Sequence, residues 1–234
     1  MLYCFTEQLR EGIYLGRSNR FVVEVLLDET VTVAHLPNSG RLTTVLSQGA
    51  ACWLRPVDKQ GRKTKFDLVA ISTKLGTVLV DSQLPNILVQ EAWRRQRLSD
   101  FLPYRHIQPE YRQGASRFDL ALTGPGLPPC LVEVKSAADF QGDWARFPDA
   151  PSERAAKHMR ELSQAATDGQ RAAVIFLAQM PWAKAVVLNQ QIDRQFVETA
   201  KQALDSGVQL LAYTIIPKLP QGIDWGDAIP VLIP

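Results

Sequence analysis

The stretch DLALTGPGLPPCLVEVKSA, residues 119–137, places three charged side chains in an otherwise apolar hairpin. Two apolar segments flank the turn sequence TGPGLPP (123–129), a pattern typical of paired antiparallel strands. Asp119 begins the first segment, and Glu133 and Lys135 lie two positions apart in the second. Side chains at i and i+2 of a strand point to the same face. We therefore expect both charges of the second strand on one side of the sheet, within reach of Asp119.

Two neighbouring carboxylates in a sheet raise each other's pKa unless positive charge lies between them. A divalent cation removes this repulsion, and oxygen-only ligation favours Mg²⁺ or Mn²⁺. The pattern predicts Asp119 and Glu133 as metal ligands, with Lys135 acting on a water molecule or on phosphate charge. The alternative is that Glu133 and Lys135 form an outward-facing ion pair on an edge strand.

The segments around the hairpin have alternating helical and strand patterns. Helices are predicted over 84–98, 151–167 and 193–206, and strands over 104–111, 117–123, 130–136, 172–179 and 208–216. From residue 217 onward, prolines and glycines favour an irregular strand or loop. The order helix, three-strand meander, helix, strand resembles the core of the PD-(D/E)xK nuclease fold, with Asp119, Glu133 and Lys135 at its motif. We expect Glu91, on the first helix, to be a supporting acid; the alternative is a solvated helix glutamate.

Residues 12–82 have no helical pattern and predict a separate β domain. Five short β-branched segments, with turn residues such as 58–61 between them, are typical of a small barrel of the OB type. The predicted strands cover 20–27, 30–36, 49–56, 66–72 and 77–82. The predicted fold is therefore α+β with two domains: an OB-like β-barrel over 1–82 and an α/β PD-(D/E)xK nuclease-like domain with an αβββαβ core over 83–234.

The composition is that of an ordinary globular protein, with 46% apolar and 21% charged residues. The formal net charge is only +2, so affinity for nucleic acid requires a local basic patch. Three dispersed cysteines suggest a reducing compartment, and neither a signal-peptide layout nor a membrane-length apolar run is seen. We expect a cytoplasmic protein that does not bind membranes.

Several stretches in colinear order resemble the SfsA family, the sugar fermentation stimulation proteins. They are HLPNSGRL (35–42), NILVQEAW (86–93), GASRFDLAL (114–122), VEVKS (132–136), FPDAPSERAAKHMREL (147–162) and GQRAAVIFLAQ (169–179). The resemblance implies an OB-like domain followed by a PD-(D/E)xK-like domain, DNA binding, and a link to the regulation of sugar metabolism in bacteria. It also implies that Asp119, Glu133 and Lys135 form a nuclease-type triad supported by Glu91.

Two further stretches carry side chains suited to nucleic-acid phosphates. In the first domain they are Asn38, Ser39 and Arg41, although plain turn formation explains much of that sequence. On the helix over 151–167, Arg154 and His158 flank the apolar stripe near a helix N-terminus, which attracts anions. A solvated helix flank is the alternative for this stretch, and a partly buried, hydrogen-bonded histidine is the alternative for His158. Arg117 is a further candidate for contact with nucleic acid. A basic barrel face is also predicted, from Arg20, Arg55, Arg62, Lys63 and Lys65, with Trp53 or Phe66 as a stacking platform or, for Trp53, as core.

The leading interpretation is a DNA-binding protein with a Mg²⁺ or Mn²⁺ site of the PD-(D/E)xK type that is able to hydrolyse phosphodiester bonds. A DNA-binding transcriptional regulator with an idle site is the main alternative, and a nucleotide or sugar-phosphate module is a third. RNA as the partner, a homodimer and catalytic activity are left open by the sequence.

Overall fold

The computed structural model describes residues 1–58, 60–114 and 116–234, so the predicted turn over 58–61 and the stretch over 114–122 each include one residue outside this range. The described helices are α1 (Leu84–Arg94), α2 (Glu153–Thr167) and α3 (Arg194–Asp205), with a 3₁₀ turn at Ser99–Phe101. The described strands are β1 (Tyr3–Cys4), β2 (Arg10–Asn19), β3 (Val22–Leu27), β4 (Thr30–His35), β5 (Ala51–Pro56), β6 (Phe66–Thr73), β7 (Gly76–Leu79), β8 (His106–Gln113), β9 (Ser116–Thr123), β10 (Cys130–Ala137), β11 (Asp139–Gln141), β12 (Trp144–Phe147), β13 (Arg171–Ala178), β14 (Ala185–Leu188), β15 (Gln209–Lys218), β16 (Gly222–Ile229) and β17 (Val231–Leu232).

The first domain is a six-stranded antiparallel barrel in the order β4-β3-β2-β5-β6-β7. A parallel contact between His35 and Asp67 joins β4 to β6 and closes the barrel. Along β3, Val23, Val25 and Leu27 are buried while the residues between them are more exposed, as the period of two requires. The predicted OB-like barrel is confirmed.

The second domain is built on a seven-stranded sheet in the order β1-β16-β15-β13-β10-β9-β8. Its central strand β13 pairs in parallel with β10 and β15, and seven of its eight residues are buried, as expected for a strand covered on both faces. Val174 lies in the same hydrophobic cluster as Met159 of α2 and Phe196 of α3, whereas Ile175 lies in the cluster that contains the buried residues of α1. Helices therefore cover both faces, and the predicted α/β architecture of the second domain is confirmed.

Two parts of this domain differ from the sequence-based expectation, and a third agrees with it. Strand β1, from the extreme N-terminus, pairs with β16 (Tyr3 opposite Ile223), so these residues join the second domain's sheet rather than the barrel. The segment after residue 217, expected to be an irregular strand or loop, contains strand β16, whose pairing with β15 shifts register between Tyr213 and Ile215. A small sheet, β11-β12-β14-β17, was not predicted, because its strands have two to four residues and find their partners far along the chain.

The two domains are held together by polar contacts from the barrel loop over 36–44. Within the barrel, the side-chain amide of Asn38 fixes this loop by donating to the Val80 carbonyl (2.9 Å). Across to the second domain, the Leu42 N–H donates to Asp149 (3.3 Å). The Thr44 hydroxyl donates to the buried Asp139 carboxylate (2.7 Å). The loop therefore has a fixed position relative to the second domain. In the part of the chain that the structure describes, none of the helices combines the length and apolar character needed to cross a membrane.

Candidate metal and nucleic-acid site

The hairpin β9–β10 separates at the residues that the sequence singled out. Regular pairing runs from Cys130 opposite Leu122 to Val132 opposite Leu120 and stops there. Beyond that point, a side-chain oxygen of Asp119 accepts the Val134 N–H (2.8 Å) in place of a main-chain carbonyl. The carboxylate of Asp119 is thereby fixed beside Glu133, at the position where the two strands diverge.

The second oxygen of Asp119 is held from a different element. Its Oδ1 accepts a hydrogen bond from the side-chain amide of Asn86 (2.8 Å), in the first turn of α1. Both Asp119 oxygens therefore have a neutral donor, and neither has a cationic partner among the described residues. The carboxylate is oriented without being neutralised.

Glu133 is buried and lies between two cationic or potentially cationic side chains. Its Oε1 accepts from the Lys135 ammonium (2.6 Å) and contacts Nδ1 of the buried His158 on α2. Its Oε2 is buried and has no hydrogen-bond partner among the described residues. An unpaired buried carboxylate oxygen is costly, and it is the atom that a bound cation would satisfy.

The two carboxylates have pKa values displaced in opposite directions. Burial raises the pKa of Asp119, and the neighbouring Glu133 charge raises it further. Burial also acts to raise the pKa of Glu133, but the His158 hydrogen bond and the Lys135 charge outweigh it, so that this pKa lies below its usual value. Displaced pKa values of neighbouring acids are typical of functional sites.

These groups line a cleft of about 380 Å³ between the two domains. The barrel contributes Arg20 and the loop residues Asn38–Gly40, and the second domain contributes the hairpin, Asn86 and the segment over 146–154. Four basic side chains face the three acids Asp119, Glu133 and Asp149; they are Arg20, Lys135, Arg146 and Arg154. Carboxylates at the centre suit a bound metal ion, and the basic side chains around them suit the phosphates of a polyanion.

The donor set fits a hard divalent cation with an incomplete protein shell. Asp119 and Glu133 offer carboxylate oxygens, one of them unpartnered. The described residues contain no group of three or more His, Cys, Asp or Glu side chains able to hold an ion. Mg²⁺ is usually bound in this way, by one or two carboxylates together with water and substrate phosphates.

Comparisons with known proteins agree with this architecture along most of the chain. The family model described as "SfsA N-terminal OB domain" matches residues 15–80, and "Sugar fermentation stimulation protein RE domain" matches residues 83–219. This chain belongs to the SfsA family. Sugar fermentation stimulation protein homologs of Chloroflexus aggregans and Moorella thermoacetica are 39% and 40% identical to it, over 96% and 88% of this chain and 86% and 89% of theirs. The structure of Pyrococcus furiosus SfsA in complex with Ca²⁺ superposes with a TM-score of 0.88 at 30% identity, covering 96% of each chain.

The structure does not bring Glu91 into the cleft of this SfsA family member. Its carboxylate is half-buried on α1 and forms ion pairs with Arg94 (2.5 Å) and Arg95 (4.0 Å) on the same helix. Asn86, five positions earlier, is the α1 side chain that reaches Asp119. Five residues correspond to about 140° of rotation around a helix, so the two side chains point in different directions.

His158 and Arg117 also differ from the predicted phosphate-binding positions. The His158 ring is buried against Glu133 and Phe118, so it positions a carboxylate instead of facing the cleft. Arg117 is exposed outside the cleft and pairs with Glu110 (3.0 Å). Arg154, in contrast, is exposed at the cleft, and no carboxylate lies within ion-pair distance of it among the described residues.

The predicted barrel residues serve partly structural roles. Asn38 lines the cleft, but its amide is engaged by Val80 and its oxygen accepts the Gly40 N–H. Ser39 lines the cleft and is exposed, whereas Arg41 is exposed outside it. Arg55 and Arg62 are paired with Asp67, and Arg55 also pairs with the fully buried Asp81. The basic barrel face therefore loses two of its predicted members, and Trp53 is half-buried against the core.

Arg17 was not predicted from the sequence, although it holds the barrel loop over 36–44 in place. Its guanidinium donates to the carbonyls of Gly40 (2.9 Å) and Arg41 (3.1 Å), and to those of Asn38 (3.3 Å) and Arg20 (2.5 Å). Nothing local in the sequence distinguishes Arg17 from the other 25 basic residues. Its role follows only from the loop folding around it.

Gly40 allows Asp149 to approach the barrel loop, and this predicts a specific sensitivity. A Cβ at position 40 would lie 2.7 Å from the Asp149 carboxyl carbon. We expect Gly40→Ala to lower the free energy of unfolding by about 1–3 kcal/mol, as overpacking does. Thermal unfolding measures the effect, and Gly16→Ala is the matched control, since a Cβ there meets no atom within 4 Å.

A double-mutant cycle tests the cause of that effect. In an Asp149→Ala background the contact is absent, so Gly40→Ala should then be nearly neutral, with a coupling energy of at least about 1 kcal/mol. Equal destabilisation by Gly40→Ala in both backgrounds would contradict the assigned contact.

Proposed function

We propose that this protein binds DNA in the cleft between its two domains and that Asp119 and Glu133 hold a Mg²⁺ or Mn²⁺ ion there for phosphodiester hydrolysis. The observation that carries this proposal is the pair of fixed carboxylates at the divergence of β9 and β10, one with a buried unpartnered oxygen. The surrounding basic side chains suit a polyanionic substrate.

Each neighbouring residue has a definable part in this chemistry. Asn86 and the Val134 N–H orient Asp119, and His158 fixes Glu133. A divalent cation bound there would supply Lewis acidity toward the phosphoryl group. Lys135, 12% exposed, presents a positive charge at the cleft where negative charge develops on the phosphate.

Phosphate binding is assigned to Arg154, Arg20 and the N-terminus of α2. The first turn of α2 carries a partial positive charge and follows directly on the cleft segment. Arg20 on the barrel side and Arg154 on the nuclease-like side lie on opposite walls of the cleft. A bound strand would therefore contact both domains.

The link to sugar metabolism and regulation rests on the name that the relatives carry. The Ca²⁺ of the Pyrococcus furiosus structure belongs to that protein, and it supports divalent-metal binding by this one. A DNA-binding regulator that does not cut is the competing function within the same cleft.

One experiment distinguishes these functions. Purified protein is incubated with single- and double-stranded DNA and RNA, each with Mn²⁺, Mg²⁺ or EDTA, and binding is measured in parallel with Ca²⁺. We expect DNA cleavage that requires Mn²⁺ or Mg²⁺, and affinity that falls with salt by about 0.9 in the log–log slope for each duplex phosphate contacted. Salt-dependent binding without any cleavage would identify a regulator, and absence of binding to every substrate would overturn the proposal.

A further inference from the structure

A second groove, of about 440 Å³, lies along the outer side of α2 next to the cleft. It is formed by α2 and the start of β9, and Arg154 lines both the cleft and the groove. The two depressions are therefore neighbours that share a basic side chain at their boundary.

The residues that line the groove have a surplus of positive charge. Its eight lining residues include four basic side chains and two acidic ones, a surplus of two. The whole chain has 26 basic and 24 acidic side chains, which is the same surplus. The groove surface is therefore locally basic, although one of its four cations, Arg117, is paired with Glu110 outside the lining (3.0 Å).

Several of these charges are available to a ligand. Arg154 and Arg160 are exposed, and no carboxylate lies within 4.0 Å of either among the described residues. Lys157 is largely exposed, and its one ion pair among the described residues is a weak surface pair with Glu161 at 3.4 Å. Glu161 also accepts from Ser116, so part of the acidic charge is already engaged.

We infer that this groove, with Arg154, Lys157 and Arg160 as its phosphate contacts, carries the DNA strand as it leaves the cleft. The inference rests on the proposed function and adds to it the path that the DNA strand follows, which runs along α2. The groove is continuous with the cleft through Arg154, and Arg154 and Arg160 have no carboxylate partner among the described residues. Both features favour a polyanion that is longer than the cleft can contain. The apolar side of α2 packs against α3 and the sheet, so that the groove side faces solvent.

The test compares two lengths of single-stranded DNA, about 4 and about 16 nucleotides, the limits of typical OB-fold site sizes. Binding is measured by fluorescence anisotropy with Ca²⁺ across a salt series. The groove variant is Lys157→Gln/Arg160→Gln. The control is Arg194→Gln/Lys201→Gln on α3, where Lys201 has a comparable surface pair with Glu198 (3.9 Å).

We expect the groove variant to bind the short strand like the wild type and the long strand about tenfold more weakly. A tenfold loss corresponds to about 1.4 kcal/mol, shared between the two charge contacts that are removed. The salt slope for the long strand should fall by about 1.4, or 0.7 for each lost contact to a single strand. The α3 control should match the wild type on both lengths.

Each other outcome overturns the inference in a recognisable way. Wild-type affinity of the groove variant for both lengths would exclude the groove from the path and leave the cleft as the DNA site. An equal loss of affinity for both lengths, or an equal loss of affinity in the α3 control, would mean that the groove charges attract DNA through long-range electrostatics and not through local contacts. Failure of the wild type to bind either strand would overturn the groove as a path for single-stranded DNA. The proposed function would be overturned with it only if duplex DNA, measured in parallel, also failed to bind.

Discussion

Replacing Asp119 by asparagine is expected to abolish Mn²⁺ binding, as measured by isothermal titration calorimetry. The reason is that one of the two carboxylates proposed as ligands becomes an amide. In the wild type, metal at about 100 times its Kd should add about 2.7 kcal/mol to the free energy of unfolding. That corresponds to a rise in Tm of about 5–10 °C for a chain of this size, and the rise should be absent in Asp119→Asn.

The Tm of Asp119→Asn without metal shows whether the variant has lost only a metal ligand or has also lost its fold. The pKa of Asp119 is raised by burial and by Glu133, so its ionised form is less favourable in the folded state than in the unfolded state. Above the folded pKa this charge lowers stability, and the neutral amide removes that cost. We therefore expect a metal-free Tm equal to or above that of the wild type.

Asp143→Asn provides the control for this measurement. Asp143 is an exposed carboxylate paired with Lys184 (2.7 Å) and does not line the cleft. Its replacement should leave Mn²⁺ binding unchanged. Equal Mn²⁺ affinities of the wild type and Asp119→Asn would exclude Asp119 as a ligand.

Replacing Lys135 by alanine is expected to lower metal-dependent DNA cleavage by a factor of about 10²–10³. This is the usual effect of losing one group that stabilises charge in a transition state. Affinity for DNA measured with Ca²⁺ should fall much less, because one contact among many is removed. Mn²⁺ binding should persist, because an ammonium group has no lone pair with which to bind a metal.

Lys218→Ala is a suitable control for Lys135→Ala. Lys218 also pairs with a carboxylate, that of Asp224 (3.3 Å), but it does not line the cleft. Cleavage and binding should both be unaffected in this variant. If the wild type cuts none of the substrates and Lys135→Ala loses most of its DNA affinity, Lys135 is a phosphate-binding cation and the protein is a regulator.

The proximity of Glu133 and Lys135 could be predicted from the sequence because it depends only on the local period of a strand. Side chains two apart in β10 must share a face, and the structure has their charged atoms 2.6 Å apart. The two-domain fold was predictable for a similar reason. Short β-branched segments give way to helical spacing near residue 83, and each pattern is a property of neighbouring residues.

The orientation of Asp119 could not be derived from alternation alone. In a regular strand, Phe118 and Leu120 would share a face, because side chains at i and i+2 do. Here Phe118 lies in the hydrophobic cluster that contains α2, and Leu120 lies in the cluster that contains α1. The regular pattern is therefore interrupted at Asp119. The interruption depends on the divergence of β9 from β10, which a sequence period does not report.

The choice among helix residues likewise depended on tertiary structure. Asn86, Glu91 and His158 all lie on predicted helices, and the sequence favoured Glu91 as an acid and His158 as a phosphate contact. The direction in which each side chain points is set by how α1 and α2 pack on the sheet. That packing brings Asn86 to Asp119 and turns His158 inward to Glu133.

By itself, the sequence determined the two domains, the strand with its paired charges and the family, because these follow from local periods and contiguous motifs. The existence and the lining of the cleft, in contrast, depend on the tertiary structure. Its walls join residues more than 100 positions apart, such as Leu42 and Asp149, and a glycine at position 40 is needed for their approach. Contacts of that kind depend on how separately formed elements pack, and packing is determined by the shapes of both surfaces together.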